Sequence, residues 1–206
     1  MAGSRKYDRI IDALQQLLES KEMESITVSE IAKVAGIGKG SIYYYFSSKV
    51  DIYEALIERN YKQLFKTSKH LAGQTDVPVF SRIAMLFQVC RDASDVFIHK
   101  SEEGINRAPQ ENAFLHHKFM KYFIGEMKPV LTEIIKQGIA TKEIQFAYPD
   151  TLSEIVLIVL TIKFDNMLAP GSAEEIAETV KGLIALLEQG AGIQKGALDY
   201  LLTVLQ

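Results

Sequence analysis

Residues 36 to 49 read GIGKGSIYYYFSSK, with three glycines, two lysines and three serines in fourteen positions. Those residue types are the ones that surround phosphate. Glycine lets backbone amides come close, lysine supplies charge, and hydroxyls donate hydrogen bonds. The phosphate could belong to a nucleotide or to a nucleic-acid backbone. A nucleotide loop needs G-x-x-x-x-G-K-[ST] between a strand and a helix. With Gly38-Lys39 as its GK, the next residue should carry a hydroxyl, and it is Gly40. The first glycine should fall at position 33, which is Lys33. An amphipathic helix precedes the loop instead of a strand, so the nucleotide reading fails on both spacing and context.

A helix-turn-helix fits the same residues. Thr27 and Glu30 have the spacing of a capping box, and Ile26 and Ile31 that of a hydrophobic staple. Val28, Ile31, Ala32 and Ala35 form the inward stripe of a short helix that Gly36 ends in the left-handed conformation. A second short helix, 39–46, is anchored by Ile42 and Phe46, four residues apart. Its outer face then presents Lys39, Gly40, Ser41, Tyr43 and Tyr44. Gly40 and Ser41 permit close approach to a groove, while tyrosine hydroxyls and Lys49 reach backbone phosphate. The helix N-termini at Thr27 and Ser48 add amides aimed at the flanking phosphates. Taken singly, each tyrosine is equally consistent with amphipathic packing.

The rest of the chain frames this segment. The 206 residues, 48% hydrophobic, are enough to bury a core, and the formal net charge of −3 rules out a uniformly basic surface. Residues 1–50 carry seven Lys/Arg against six Asp/Glu, so the acidity lies further on. A single cysteine, Cys90, excludes an intramolecular disulfide and a cysteine-rich metal site. No apolar leader opens MAGSRKYDRI, and the longest apolar run, Ile155 to Leu160, is too short to cross a bilayer. The expected protein is soluble and cytoplasmic, with no membrane partner.

Helical periodicity dominates throughout. The first helix covers about 4–20, with Ile10, Leu14, Leu17 and Leu18 inward. A fourth, started by Ser48 and Asp51, runs to about 71 with the stripe Tyr53, Leu56, Ile57, Asn60 and Leu64. A fifth spans about 78–99. Residues 103–112 read as a turn or short helix, and 112–137 as helical with a bend at Gly125 and Pro129. Two long apolar helices, 150–168 and 173–189, meet at Pro170-Gly171, and a short terminal helix follows. No segment alternates at period two. The fold class is all-α: an N-terminal three-helix helix-turn-helix domain followed by a larger helical ligand-binding and dimerisation domain, divided as 1–49 and 50–206.

The stretch TVSEIAKVAGIGKGSIYYYFSSKVDIYEAL closely resembles the DNA-binding domain of the tetracycline-repressor (TetR) family, whose pattern runs [IV]-A-x3-G-[x]2-[KR]-G-[ST]-[IL]-Y-x-[YH]-F-x-[ST]-K. The resemblance covers about residues 5–60. It implies a DNA-binding regulator: Thr27 as a phosphate-contacting cap, Lys39, Gly40, Ser41, Tyr43, Tyr44 and Tyr45 on the recognition helix, and Lys49 as a phosphate-binding lysine. One departure is Gly38, where many members carry a capping serine. The resemblance further implies a homodimer on a near-palindromic DNA operator, built from the last two long helices. Ile155, Ile158, Val159 and Ile162 on one, and Val180, Leu183, Ile184 and Leu187 on the other, are the expected interface.

It also implies an effector pocket for a small hydrophobic molecule whose binding releases a repressor. Candidate lining residues are Tyr61, Phe65, Phe87, Cys90, Phe97 and Phe114, with His117, Tyr122, Phe123, Met127 and Phe164. His117 or Asp165 would be a polar anchor. Taken one by one, the same residues read more readily as ordinary core. The alternative is a helix-turn-helix regulator governed by a protein partner, or one with no small-molecule effector. His99 and Glu103 have i,i+4 spacing but no evident third ligand, so no metal and no cofactor are expected. No nucleophile, base and orienting group fall together, which argues against an enzyme.

Overall fold

The computed structural model describes residues 2–21, 23, 25–102, 113–165 and 169–203, with side chains at all of these except 2–4, 91–102, 113–116 and 164–165. Among them every regular element is helical: α1 Ala2–Leu18, α2 Val28–Ala35, α3 Lys39–Tyr45, α4 Lys49–Gly73, α5 Val79–Glu102, α6 Ala113–Ala140, α7 Pro149–Asp165, α8 Ala173–Gly190 and α9 Tyr200–Thr203. The chain is all-α, as its periodicity predicts. The turn or short helix expected at 103–112 lies outside the described residues.

Local chemistry sets the boundaries. At α2, the Thr27 hydroxyl accepts from the Glu30 amide while the Glu30 carboxylate accepts from the Thr27 amide. Ile26 and Ile31, the staple pair, are both buried. Ser48 and Asp51 repeat the device at α4: the Asp51 carboxylate takes the Ser47 and Ser48 amides, and the Asp51 amide donates to the Ser48 hydroxyl. Ser172 and Glu175 do the same for α8. Pro129, where a bend was expected, lies inside α6, which is assigned as one helix through it. The proline ring crowds the carbonyl four residues back, which belongs to Gly125, where a side chain would meet nothing within 4 Å.

Two compact units emerge, Met1–Lys62 with Ser94–Phe119, and Gln63–Ala93 with Met120–Gln206. In the first, Ile10, Ile11 and Leu14 of α1 meet Ile31 and Ala35 of α2, Ile42 of α3, and Ile52 and Leu56 of α4 in one apolar core. Ile11 was not part of the stripe expected from periodicity. Asn60, placed on the inward stripe of α4, is exposed. Arg59 of α4 reaches α1, with Nη1 2.6 Å from the Asp12 carboxylate and Nη2 donating to Gln15 at 2.7 Å.

In the second unit, Leu86, Met127, Leu131, Ile134, Leu160 and Val180 are buried together with a few polar groups. The Thr132 hydroxyl donates to Ser153 at 2.9 Å, and Ser153 donates to the Pro149 carbonyl at 2.8 Å, so α6 and α7 share a buried hydrogen-bond chain. Arg82, 2% exposed, donates to the Ala72 carbonyl at 3.1 Å and to the Gln137 side-chain oxygen.

Candidate nucleic-acid interface

Recognition would fall on α3, a helix of only seven residues that cannot stand alone. Ile42 is buried in the core, and Phe46, the C-cap, is buried beside it. Tyr7 of α1 lies against Phe46, with ring centroids 4.9 Å apart and planes 27° apart. Burial, with Glu58 and Asp8 adding to it, pushes the Tyr7 hydroxyl above its ordinary pKa. The other end of α3 is set by the turn. Gly36 sits at φ 62°, the Ile37 amide donates to the Ala32 carbonyl at 3.0 Å, and the Gly36 amide donates to Lys33 at 3.2 Å. This pair of bonds is a Schellman closure.

With its inner side fixed, α3 turns a consistent set of groups outward. Tyr44 is 83% exposed and Tyr43 is 52% exposed. Lys39 and Gly40 are exposed, and Ser41 is half-buried. A Cβ added at Gly38 or Gly40 would meet nothing within 4 Å, so their backbone faces open space. The N-cap, Gly38, makes no side-chain bond, as its identity requires.

Three sequence-predicted contacts are placed differently. Tyr45 is half-buried, edge-on to Tyr7 with centroids 6.5 Å apart, so its ring belongs to the seam between α1 and α3. The Lys49 ammonium turns inward and donates to the Met23 carbonyl and, at 2.8 Å, to the Ile26 carbonyl. The Thr27 hydroxyl donates to Glu30 at 2.9 Å, which commits its one proton. Glu30 is held down to about 2 by a hydrogen bond from Lys21 and by the Thr27 amide and hydroxyl. The amides expected to face phosphate at Ser48 are taken by Asp51.

Arg9 was missed by sequence reasoning. Its Nη2 donates to the Ala35 carbonyl and, at 3.3 Å, to the Gly36 carbonyl, where α2 ends. No local pattern marks it, because the partners are 26 and 27 residues away.

The other expected sites divide in the same way. Tyr61 is buried in the first unit, with Phe119 5.0 Å from it between centroids. Phe65, Phe87, Phe123 and Met127 are buried in the second, where Phe65 meets Tyr122 edge-on at 5.4 Å and Phe123 at 6.2 Å. His117 is exposed, which removes it as an interior polar anchor. Desolvation pushes the Cys90 thiol up to about 12, so it stays protonated. The side chains of Phe97, Phe114, Phe164 and Asp165 lie outside those described, as do His99 and Glu103. Of the expected interface residues, Val180, Leu183, Ile184 and Leu187 are buried within their own chain and cannot also form a subunit surface. Ile155 and Ile158 are exposed at 46% and 38%, Val159 and Ile162 are half-buried, and Leu186, overlooked in the sequence, is 71% exposed.

A short helix pinned by buried Ile42 and Phe46 that shows tyrosine, lysine and bare backbone to solvent is the arrangement of a helix-turn-helix DNA-binding domain. Residues 10–56 match the family described as bacterial regulatory proteins, tetR family, a match that spans the helix-turn-helix segment and the start of α4. The nucleoid occlusion factor SlmA of Vibrio campbellii is 45% identical over 62 residues, 28% of this chain and 32% of that protein, so the match spans about a third of the relative's length. SmeT, the repressor of the Stenotrophomonas maltophilia multidrug efflux pump SmeDEF, superimposes with TM-score 0.62 at 16% identity, over 93% of this chain and 92% of its own. RolR in complex with resorcinol gives 0.61 at 16% identity, over 100% and 96%. At that identity the two structures establish the shared helical fold. Among the described residues no helix is long and apolar enough to cross a membrane.

Proposed function

We propose that this regulator reads a near-palindromic operator as a homodimer, with α3 of each subunit in the major groove, and that a small hydrophobic molecule releases it as a repressor. The observation that carries the DNA reading is the outward set Lys39, Gly40, Tyr43 and Tyr44 on a helix whose opposite side is pinned by Ile42 and Phe46. Side chains on such a helix reach base edges, and lysine and tyrosine at its ends fix the register on phosphate. Thr27 and Lys49 contribute to phosphate contact only by giving up Glu30 and the Met23 and Ile26 carbonyls.

Dimerisation rests on the exposed apolar row of α7, Ile155, Ile158 and half-buried Ile162, with Leu186 on α8. Positions i, i+3 and i+7 form one stripe. Two copies related by a twofold axis would cover it and set two recognition helices about 34–36 Å apart. The effector reading is supported by the aromatic and thioether residues of α4, α5 and α6 and by the fold shared with RolR, whose structure holds resorcinol.

The test is selection of bound duplexes from random DNA at stated salt. Recovery of a palindrome with half-sites one helical turn apart supports the reading, and recovery of no sequence sinks it. A second reading, a DNA-binding protein governed by a protein partner and not by a small molecule, is favoured by the similarity to a nucleoid occlusion factor. It predicts that small hydrophobic compounds, including resorcinol, leave affinity for the selected duplex unchanged.

A further inference from the structure

Resting on the DNA-binding reading, we propose that Arg9 and Lys49 are positioning residues that clamp the two ends of α2, and so aim α3, instead of contacting phosphate. The geometry at each end is specific. Beyond the C-terminus of α2, the Arg9 Nη2 of α1 donates to the Ala35 and Gly36 carbonyls, both at the negative end of the helix dipole, where a cation is stabilised. The backbone there is set by Gly36, whose φ of 62° disfavours a side chain. Ahead of the N-terminus, Lys49 reaches from the first turn of α4 to the Met23 and Ile26 carbonyls. The positive end of its own helix disfavours a lysine there, and the two carbonyls offset that cost.

The helix between the clamps has eight residues, and α3 follows it after three. The orientation of so short a pair depends on what holds α2, since the turn transmits any rotation of α2 directly to α3. A charge-assisted hydrogen bond at each end adds directional control that the apolar core, which constrains mainly distance, does not supply.

The experiment compares Arg9→Met, Lys49→Met and, as a contact control, Lys39→Met on the duplex recovered by selection. Affinity is measured from about 50 to 200 mM salt, with circular dichroism establishing that each variant is folded. Arg9→Met and Lys49→Met are expected to bind about tenfold more weakly with the logarithmic salt slope unchanged. Lys39→Met is expected to make the slope shallower by about 0.9, the signature of one lost phosphate. Arg9→Lys and Lys49→Arg, milder changes that keep the test open should a methionine variant unfold, are expected to lose about threefold, again with no change of slope. A slope shallower by about 0.9 in the Arg9 or Lys49 variants overturns the proposal in favour of direct contact. Unchanged affinity with a lowered melting temperature overturns it in favour of a purely stabilising role. Failure of the unsubstituted protein to bind any duplex removes the DNA reading and this inference with it, whereas normal binding by the variants removes only this inference.

Discussion

Tyr44 and Tyr45 touch edge to face with centroids 5.0 Å apart, yet they have opposite environments: Tyr44 stands in solvent and Tyr45 is half-buried against Tyr7. Adjacent positions on a helix point about 100° apart, so a single step along α3 separates a surface group from a packing group.

Function and stability should therefore separate between these neighbours. Tyr44→Ala is expected to leave the unfolding free energy within about 0.5 kcal/mol while weakening operator binding by about 1–3 kcal/mol. Tyr45→Ala removes part of a packed ring and is expected to cost about 1–3 kcal/mol of stability. Denaturant titration paired with binding to the selected duplex checks both. Equal stability losses at the two positions would contradict the assignment.

Arg82 and Gln137 form the second relationship with consequences. Both donate to the Ala72 carbonyl near the end of α4, Gln137 also accepts from Arg82, and Arg82 Nε has no acceptor among the described residues. A buried charge is costly to strand and much less costly to replace. Gln137→Leu, which strips an acceptor from the guanidinium, is expected to destabilise by about 2–3 kcal/mol. Arg82→Met, which leaves Ala72 and Gln137 bonded to each other, is expected to cost less than half of that. Urea midpoints in the opposite order would show that the charge is satisfied in some other way.

The fold was legible because caps and stripes act locally. Thr27-Glu30, Ser48-Asp51 and Gly36 announce helix ends within four residues, and Ile42 with Phe46 announces the buried side of α3. The roles of Arg9, Tyr45 and Lys49 were not legible, because each is decided by partners more than twenty residues away. The last two long helices show the same limit. Both are apolar enough to serve as core or as interface, and sequence alone does not say which stripe meets its own chain. Val180, Leu183, Ile184 and Leu187 turned inward, leaving Ile155, Ile158 and Leu186 outside.

Acid should probe the α2 cap. Glu30 is held down to about 2 from an ordinary 4.5, first by its hydrogen bond from Lys21 and then by Thr27. A carboxylate with a depressed folded-state pKa contributes stability that is full above the unfolded value and is lost as pH falls through the folded one. The difference in melting temperature between the unsubstituted protein and Glu30→Gln is thus expected to be constant above about pH 5, to shrink from pH 4.5 downward, and to vanish near pH 2. A difference that is flat across this range would show that the carboxylate is not what the cap depends on.

Charge placed on the two faces of the last helices should give opposite phenotypes. Ile158 is exposed on α7, so glutamate there meets water in an isolated subunit and an apolar partner in a dimer. Ile158→Glu is expected to keep the helical circular-dichroism signal and raise the dimer dissociation constant by about thirtyfold or more, as when a central interface residue is lost and a charge is buried unpaired. Operator affinity falls with it, since one subunit holds one recognition helix. Leu183 faces the interior of its own chain, and Leu183→Glu is expected to unfold the second unit. Sedimentation velocity and circular dichroism read the two outcomes separately. An Ile158→Glu protein that stays dimeric while binding DNA normally would place the subunit contact elsewhere. The exposed stripe of Ile155, Ile158 and Leu186 would then need a different occupant.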